Sequence, residues 1–304
     1  MKKEVVLGQA QLVGGQFLKQ SKAWMRSVLF QYGFLIGVVG FLLGRAMILA
    51  ELAPFALPYL AAIYILKRER AGLAAVTLVL GALSSYHGQA FFIVIAIFIY
   101  FLIYKIVSRY VPDSTKSLPY MVFGASMLTR IGMVFIVEGS VSQYVLMMST
   151  VEAGLSFILT MIFLQSVPLI TERRFQQPLR NEEIVCLIIL LASVMTGTVG
   201  WALYDVTVEH VLARYLVLVF AFVGGAAIGS TVGVVTGLIL SLASVASLYQ
   251  MSLLAFSGLL GGLLKEGKRL GVSLGLLVGT LLIGLYGDGA SLLSVTLVES
   301  CVRS

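Results

Sequence analysis

The sequence predicts an all-α polytopic transmembrane helix bundle of about 10–12 spans, because each crossing of a bilayer core about 30 Å thick takes about 20 apolar helical residues. Three observations carry that prediction. Of 304 residues, 59% are hydrophobic and only 12% charged, with a mean hydropathy of +1.01. Soluble domains carry about 25% charged residues, so this chain cannot cover a water-facing surface with charge. The apolar residues fall in continuous runs without period-2 alternation, which disfavours a barrel. Lys and Arg, finally, are gathered in alternate turns between those runs.

Taken in order, residues 1–27 form a basic N-terminal segment and 28–304 a multi-span membrane domain. Between residues 12 and 30, Leu12, Phe17, Leu18 and Trp24 interleave with Lys19, Lys22 and Arg26. Two readings fit: a helix lying on an anionic leaflet, or a solvated basic tail. A cleavable signal peptide does not fit, since Arg45 sits in the first apolar run. Spans are expected near 29–49, 52–66, 71–86, 89–108, 118–138, 144–170, 183–204, 211–228, 231–248, 251–264 and 270–286. A last apolar stretch, 290–302, reads as a truncated span, as in a fragment.

Orientation follows from the turns. Lys2, Lys3, Lys19, Lys22 and Arg26 precede the first span, and Lys67, Arg68 and Arg70 follow the second. Lys105, Arg109 and Lys116, then Arg173, Arg174 and Arg180, then Lys265, Lys268 and Arg269 mark further turns on the same side. The intervening turns Ser84–Gln89, Gly139–Gln143 and Gly287–Ser291 hold no Lys or Arg. The positive-inside rule makes the basic side and the N-terminus cytoplasmic. The net charge of +7 is thereby explained by topology and does not call for nucleic acid. A faint parallel repeat pairs 36–74 with 232–273, both opening on a Gly-Val-Val run and passing a basic turn; low complexity in membrane helices produces such matches by chance as well.

Residue by residue, the chemistry is sparse. Gly262 to Lys268 matches G-x-x-x-x-G-K, the core of a phosphate-binding loop, but an apolar helix precedes it where such a loop needs a strand. Lys265, Glu266, Lys268 and Arg269 are read instead as a cytoplasmic turn that sets topology. Gly225, Gly229, Gly233, Gly237, Gly258, Gly261 and Gly262 have the spacing of close-packed helix faces, within the chain or between copies. Arg130 and Glu152 lie at similar depth on neighbouring antiparallel spans and are candidates for an intramembrane ion pair. Arg45, Glu51, Glu209, His210 and Arg214 form a second, outer-side charge group. These charges either fix helix register or line a proton or substrate path. No hydrolase, metalloprotease or two-metal motif is present. Cys186 and Cys301 stand among apolar residues and, with two histidines, supply no zinc or iron ligand set. No catalytic, cofactor-binding or metal residue is assigned.

Four stretches resemble one family: FLLGRAMILAELAPFALP (41–58), VEAGLSFILTMIFLQSVP (151–168), EHVLARY (209–215) and STVGVVTGLILSLASVASLYQMSLLAFSGLLGGLLKEGK (230–268). In length and order they are similar to the membrane-embedded N-terminal region of stage II sporulation protein E, of endospore-forming bacteria. The resemblance implies an anchor joined to two cytoplasmic parts that this chain lacks. One is a central region that associates with a tubulin-like division protein at the asymmetric septum. The other is a PP2C-type serine/threonine phosphatase, with manganese or magnesium, that activates the first forespore-specific sigma factor. This chain is then no enzyme and binds no cofactor; it sits in the cell membrane as a multi-pass septal localisation and assembly module, in contact with lipid and able to self-associate. The alternative is a small-molecule transporter or substrate-binding membrane subunit that uses the buried charges.

Overall fold

The computed structural model describes residues 33–49, 52–85, 87–110, 114–171, 180–203, 206–244 and 248–286. The helices are α1 (Phe34–Arg45), α2 (Ala56–Leu66), α3 (Ala71–Ser85), α4 (His87–Val107) and α5 (Ser114–Glu138). They continue as α6 (Gln143–Thr171), α7 (Asn181–Thr196), α8 (Val208–Ser244), α9 (Leu248–Leu263) and α10 (Lys268–Tyr286). Between α7 and α8 runs a two-residue antiparallel ladder, β1 (Ala202–Leu203) with β2 (Val206–Thr207). The chain is an all-α polytopic bundle. Four stretches, Gly88–Val107, Thr115–Val137, Gln143–Ile170 and Val208–Ala243, are long and apolar enough to cross a membrane, while α1 and α2 are shorter apolar helices. The basic segment 1–27, Glu51, the stretch 290–302 and Cys301 lie outside the described residues.

Helix α2 is the hub. Its segment Leu60–Ile63 is fully buried, and the whole run from Ala56 to Ile63 is buried on every side. A helix apolar all round has no water-facing side to choose, so it packs at the centre of its neighbours. Its Tyr59 hydroxyl donates to the Ile36 carbonyl at 2.8 Å, which ties α2 to α1. The buried cluster around it draws Leu43, Leu78, Ile93, Phe163 and Leu190 from five other helices. Four buried hydroxyls are satisfied locally: Thr129, Thr160, Ser166 and Ser193 each donate to the carbonyl four residues back.

Helix α8 is longer than any crossing needs. Its 36-residue apolar stretch would reach about 54 Å if straight, well beyond a core of about 30 Å. The chain instead reverses at Gly225, whose φ of 77° and ψ of −165° suit glycine alone. A Cβ on Gly229 would lie 2.8 Å from the Ala221 Cβ, although eight residues along a straight helix are about 12 Å apart. The arms 208–224 and 226–244 therefore lie side by side, with Val217 and Val232 in one buried cluster. The sequence places this turn between 228 and 231; the structure moves it to Gly225, because the turn is a single residue that only glycine can occupy.

The expected span 183–204 also changes. Helix α7 stops at Thr196, residues 197–200 turn, and 202–203 pair with 206–207 in the small ladder. The two members of the faint repeat share an element order of helix, helix, 3₁₀ turn (Arg68–Arg70 and Leu264–Gly267) and helix. Their packing differs. In the first, the outer two helices touch: a Cβ on Gly44 would strike the Leu78 carbonyl and one on Gly81 the Phe41 carbonyl. In the second, the middle helix α9 is sandwiched, with Gly229 against Gly258 and Gly275 against Leu260.

Candidate functional site: a charged pair at a broken helix

Helix α1 ends at Arg45, and the backbone turns extended at Ala46, with ψ 123°. Helix α2 begins only at Ala56, and between them Ala46, Ile48, Leu52, Ala53 and Phe55 are all buried. Non-helical backbone away from water must find hydrogen-bond partners inside the protein. It does so in three ways. Ile48 and Leu52 exchange N–H to O bonds of 2.8 and 2.9 Å. The Leu49 N–H donates to the Leu242 carbonyl at 2.9 Å, so the second arm of α8 supports the break. Side chains from α3, α4 and α6 supply further partners.

Those side chains define the site. Glu152 Oε1 accepts the Ala53 N–H at 3.1 Å, and Ser156 Oγ, one turn further along α6, donates to the Pro54 carbonyl at 3.3 Å. Gln89 Nε2 donates to the Gly44 carbonyl at 3.1 Å, and Ser85 Oγ to the Arg45 carbonyl at 3.3 Å. Glu152 itself is 1% exposed, and its second oxygen accepts Arg130 Nε at 2.8 Å. The Arg130 guanidinium lies 5.4 Å from the Phe92 ring centre. One carboxylate thus holds a backbone donor just ahead of α2 with one oxygen and a cation with the other. Its charge also sits near a helix N-terminus, where the dipole favours an anion. Gln89 Oε1 is buried without a hydrogen-bond partner among the described residues.

The residues of the outer group are divided. Arg45 donates to the Ser84 and Val199 carbonyls, both at 3.4 Å, and lies 5.2 Å from the Trp201 ring centre. Its cation is held by carbonyls and an aromatic face. His210 Nε2 faces Gln250 Nε2 at 3.3 Å, Glu209 is buried, and the charges of Glu209 and Arg214 both act on His210. Glu51 lies outside the described residues.

The glycines are packed within this one chain. Gly233 abuts the Leu254 carbonyl, Gly237 the Met251 backbone and Gly262 the Gly225–Ala226 backbone, while Gly261 faces the Val272 carbonyl on α10. The turn holding Lys265, Glu266, Lys268 and Arg269 has a definite task. Lys265 Nζ donates to the Val223 carbonyl at 2.8 Å, capping the first arm of α8 where it ends at the Gly225 reversal. Sequence reasoning missed Ala53, Pro54, Ser156 and Gln89, and the contacts of Gly44, Gly81 and Gly197. The short run 52–66 with Pro54 at its head was the available signal, since short, interrupted apolar segments point to broken helices.

Against known proteins, the family model described as SpoIIE, N-terminal domain, matches residues 1–304. The chain is 50% identical over 278 residues to stage II sporulation protein E of Bacillus subtilis (strain 168), covering 91% of this chain and 34% of that protein. It is 71% identical over 70 residues to stage II sporulation protein E of Priestia megaterium, covering 23% of this chain and 12% of that protein. The chain therefore spans about a third of the length of the first of these relatives. No solved structure matches. By a match along its whole length, the chain belongs to the SpoIIE N-terminal domain family.

Proposed function

We propose that this chain is the membrane anchor and septal localisation module of a sporulation phosphatase. Its task is to position cytoplasmic domains that activate the first forespore-specific sigma factor at the asymmetric septum. The observation that carries the reading is the 50% identity over 91% of the chain to a protein named for a stage of sporulation. The architecture supports it. Glu152 and Arg130 are engaged with each other and with the break, so the buried charge stabilises a packed bundle. The cavity between Ile36, Tyr59, Val167 and Leu190 measures about 10 Å³ and is lined by apolar groups. The serine/threonine phosphatase chemistry, its manganese or magnesium, and the association with a tubulin-like division protein belong to the cytoplasmic parts of the full-length protein in this proposal.

The test uses the full-length protein in sporulating cells. Replacing the region equivalent to 1–304 by an unrelated multi-span membrane region of the same topology leaves the protein in the membrane. The proposal expects septal enrichment and forespore-specific sigma activity to fall together. A chimaera still enriched at the septum would move the localisation signal to the cytoplasmic part.

A further inference from the structure

The basic end of α4 combines features that no internal contact explains. Along its outward face Phe91, Val94, Phe98, Leu102 and Ile106 are all exposed, spaced three or four residues apart, so they form one apolar stripe about 22 Å long. The stripe ends in an open depression of about 340 Å³ lined by Lys105, Ile106, Arg109 and Tyr110. Lys105 and Arg109 are one turn apart, and among the described residues neither is ion-paired with a carboxylate. Tyr110 is 82% exposed.

The neighbours mark this level as a membrane–water boundary. Tyr104 stacks edge-on against Tyr64, ring centres 4.9 Å apart, and Tyr64 also meets Phe101 at 5.2 Å. The Arg68 guanidinium lies 5.5 Å from the Tyr64 ring centre, which brings a third cation to the same rim. Tyrosine gathers at the headgroup level of membranes because its ring is apolar and its hydroxyl wet. Glu69 is the nearest carboxylate in sequence to Arg68, and Asp113 lies outside the described residues.

From this arrangement we infer that Lys105, Arg109 and Tyr110 form a binding site for an anionic glycerophospholipid, with its acyl chains along the α4 stripe. The phosphodiester is the ligand group: Arg109 and Lys105 donate charge-assisted hydrogen bonds to its oxygens, and the Tyr110 hydroxyl donates a third. A basic depression beside apolar helix surface is complementary to a headgroup and tail together, which a free anion does not match.

Native mass spectrometry of the purified chain tests this, using phosphatidylglycerol and phosphatidylcholine with identical acyl chains. Wild type retains phosphatidylglycerol in excess. The double variant Lys105→Gln/Arg109→Gln loses that excess by about thirtyfold, the scale expected of two cations at an anionic surface. Lys268→Gln/Arg269→Gln removes equal charge from another turn on the basic side and keeps it. Lys105→Arg, which preserves the charge, keeps it too and guards against a folding artefact. Phe98→Ala/Leu102→Ala weakens retention of both lipids. Equal retention by the Lys105/Arg109 variant, or equal loss in the Lys268/Arg269 control, overturns the site. Displacement of the lipid by a tenfold excess of inorganic phosphate overturns the lipid assignment in favour of a free-anion site.

Discussion

Glu152 is the residue on which the interior turns, because its two oxygens serve different masters. Removing the carboxylate leaves the Arg130 guanidinium without its carboxylate and the Ala53 N–H without an acceptor. Breaking a buried pair from one side costs about 3–5 kcal/mol, and orphaning a buried donor costs about 1–3 kcal/mol. Glu152→Ala is therefore expected to lower the unfolding midpoint in mixed detergent more than any surface substitution. Glu152→Gln keeps an acceptor for Ala53 and falls between. The double change Arg130→Met/Glu152→Ala should be milder than Glu152→Ala alone, yet short of wild type, because the Ala53 donor is still unmet. A double variant destabilised by the sum of the two single-variant effects would show that the two side chains act independently. The pairing was legible in the sequence, since depth alone brings positions 130 and 152 level on adjacent antiparallel helices. The bond to Ala53 was not, because it depends on where α2 begins, and nothing local to Ala53 announces a contact 99 residues away.

Helices in this bundle are held by close approach, and the glycines divide into two sets that make opposite predictions. Gly81 and Gly44 lie where an added Cβ would strike a neighbouring carbonyl, as do Gly229 and Gly258. Gly124 and Gly132 on α5 have nothing within 4 Å of an added Cβ. Gly81→Val is expected to destabilise by at least about 1–3 kcal/mol, the cost of overpacking a tight contact. Gly132→Ala should be neutral or stabilising by up to about 1 kcal/mol through helix propensity. The readout is the thermal midpoint of the purified chain, and a Gly81 variant as stable as wild type would contradict the crossing of α1 and α3. Spacing alone revealed the Gly229–Gly237 and Gly258–Gly262 rows, because small residues four apart signal packing. It did not reveal Gly81, which shares the α1–α3 crossing with Gly44 but has no glycine three or four residues away on its own helix, or Gly197, whose added Cβ would strike the Leu42 carbonyl. Likewise Gly225 reads as one more packing glycine until its backbone angles show it to be the reversal itself.

At the scale of the molecule, composition and the continuous apolar runs were enough for the fold class, because a bilayer admits only helices or closed barrels and a barrel needs period-2 alternation. They were not enough for the interior. A hydropathy profile treats 29–49 and 52–66 as two ordinary spans, whereas the structure makes them two short helices around a break whose backbone is bonded by Glu152, Ser156, Gln89 and Ser85. A break bonded in this way suits a rigid platform, the property that the proposed anchor role would require. The most direct measurement of that role is the ratio of septal to lateral membrane fluorescence for this chain alone, fused to a fluorescent protein, in sporulating cells. The expected ratio is well above that of an unrelated multi-span membrane protein measured beside it. A ratio equal to that control, with the fusion intact and membrane-inserted, would contradict that role.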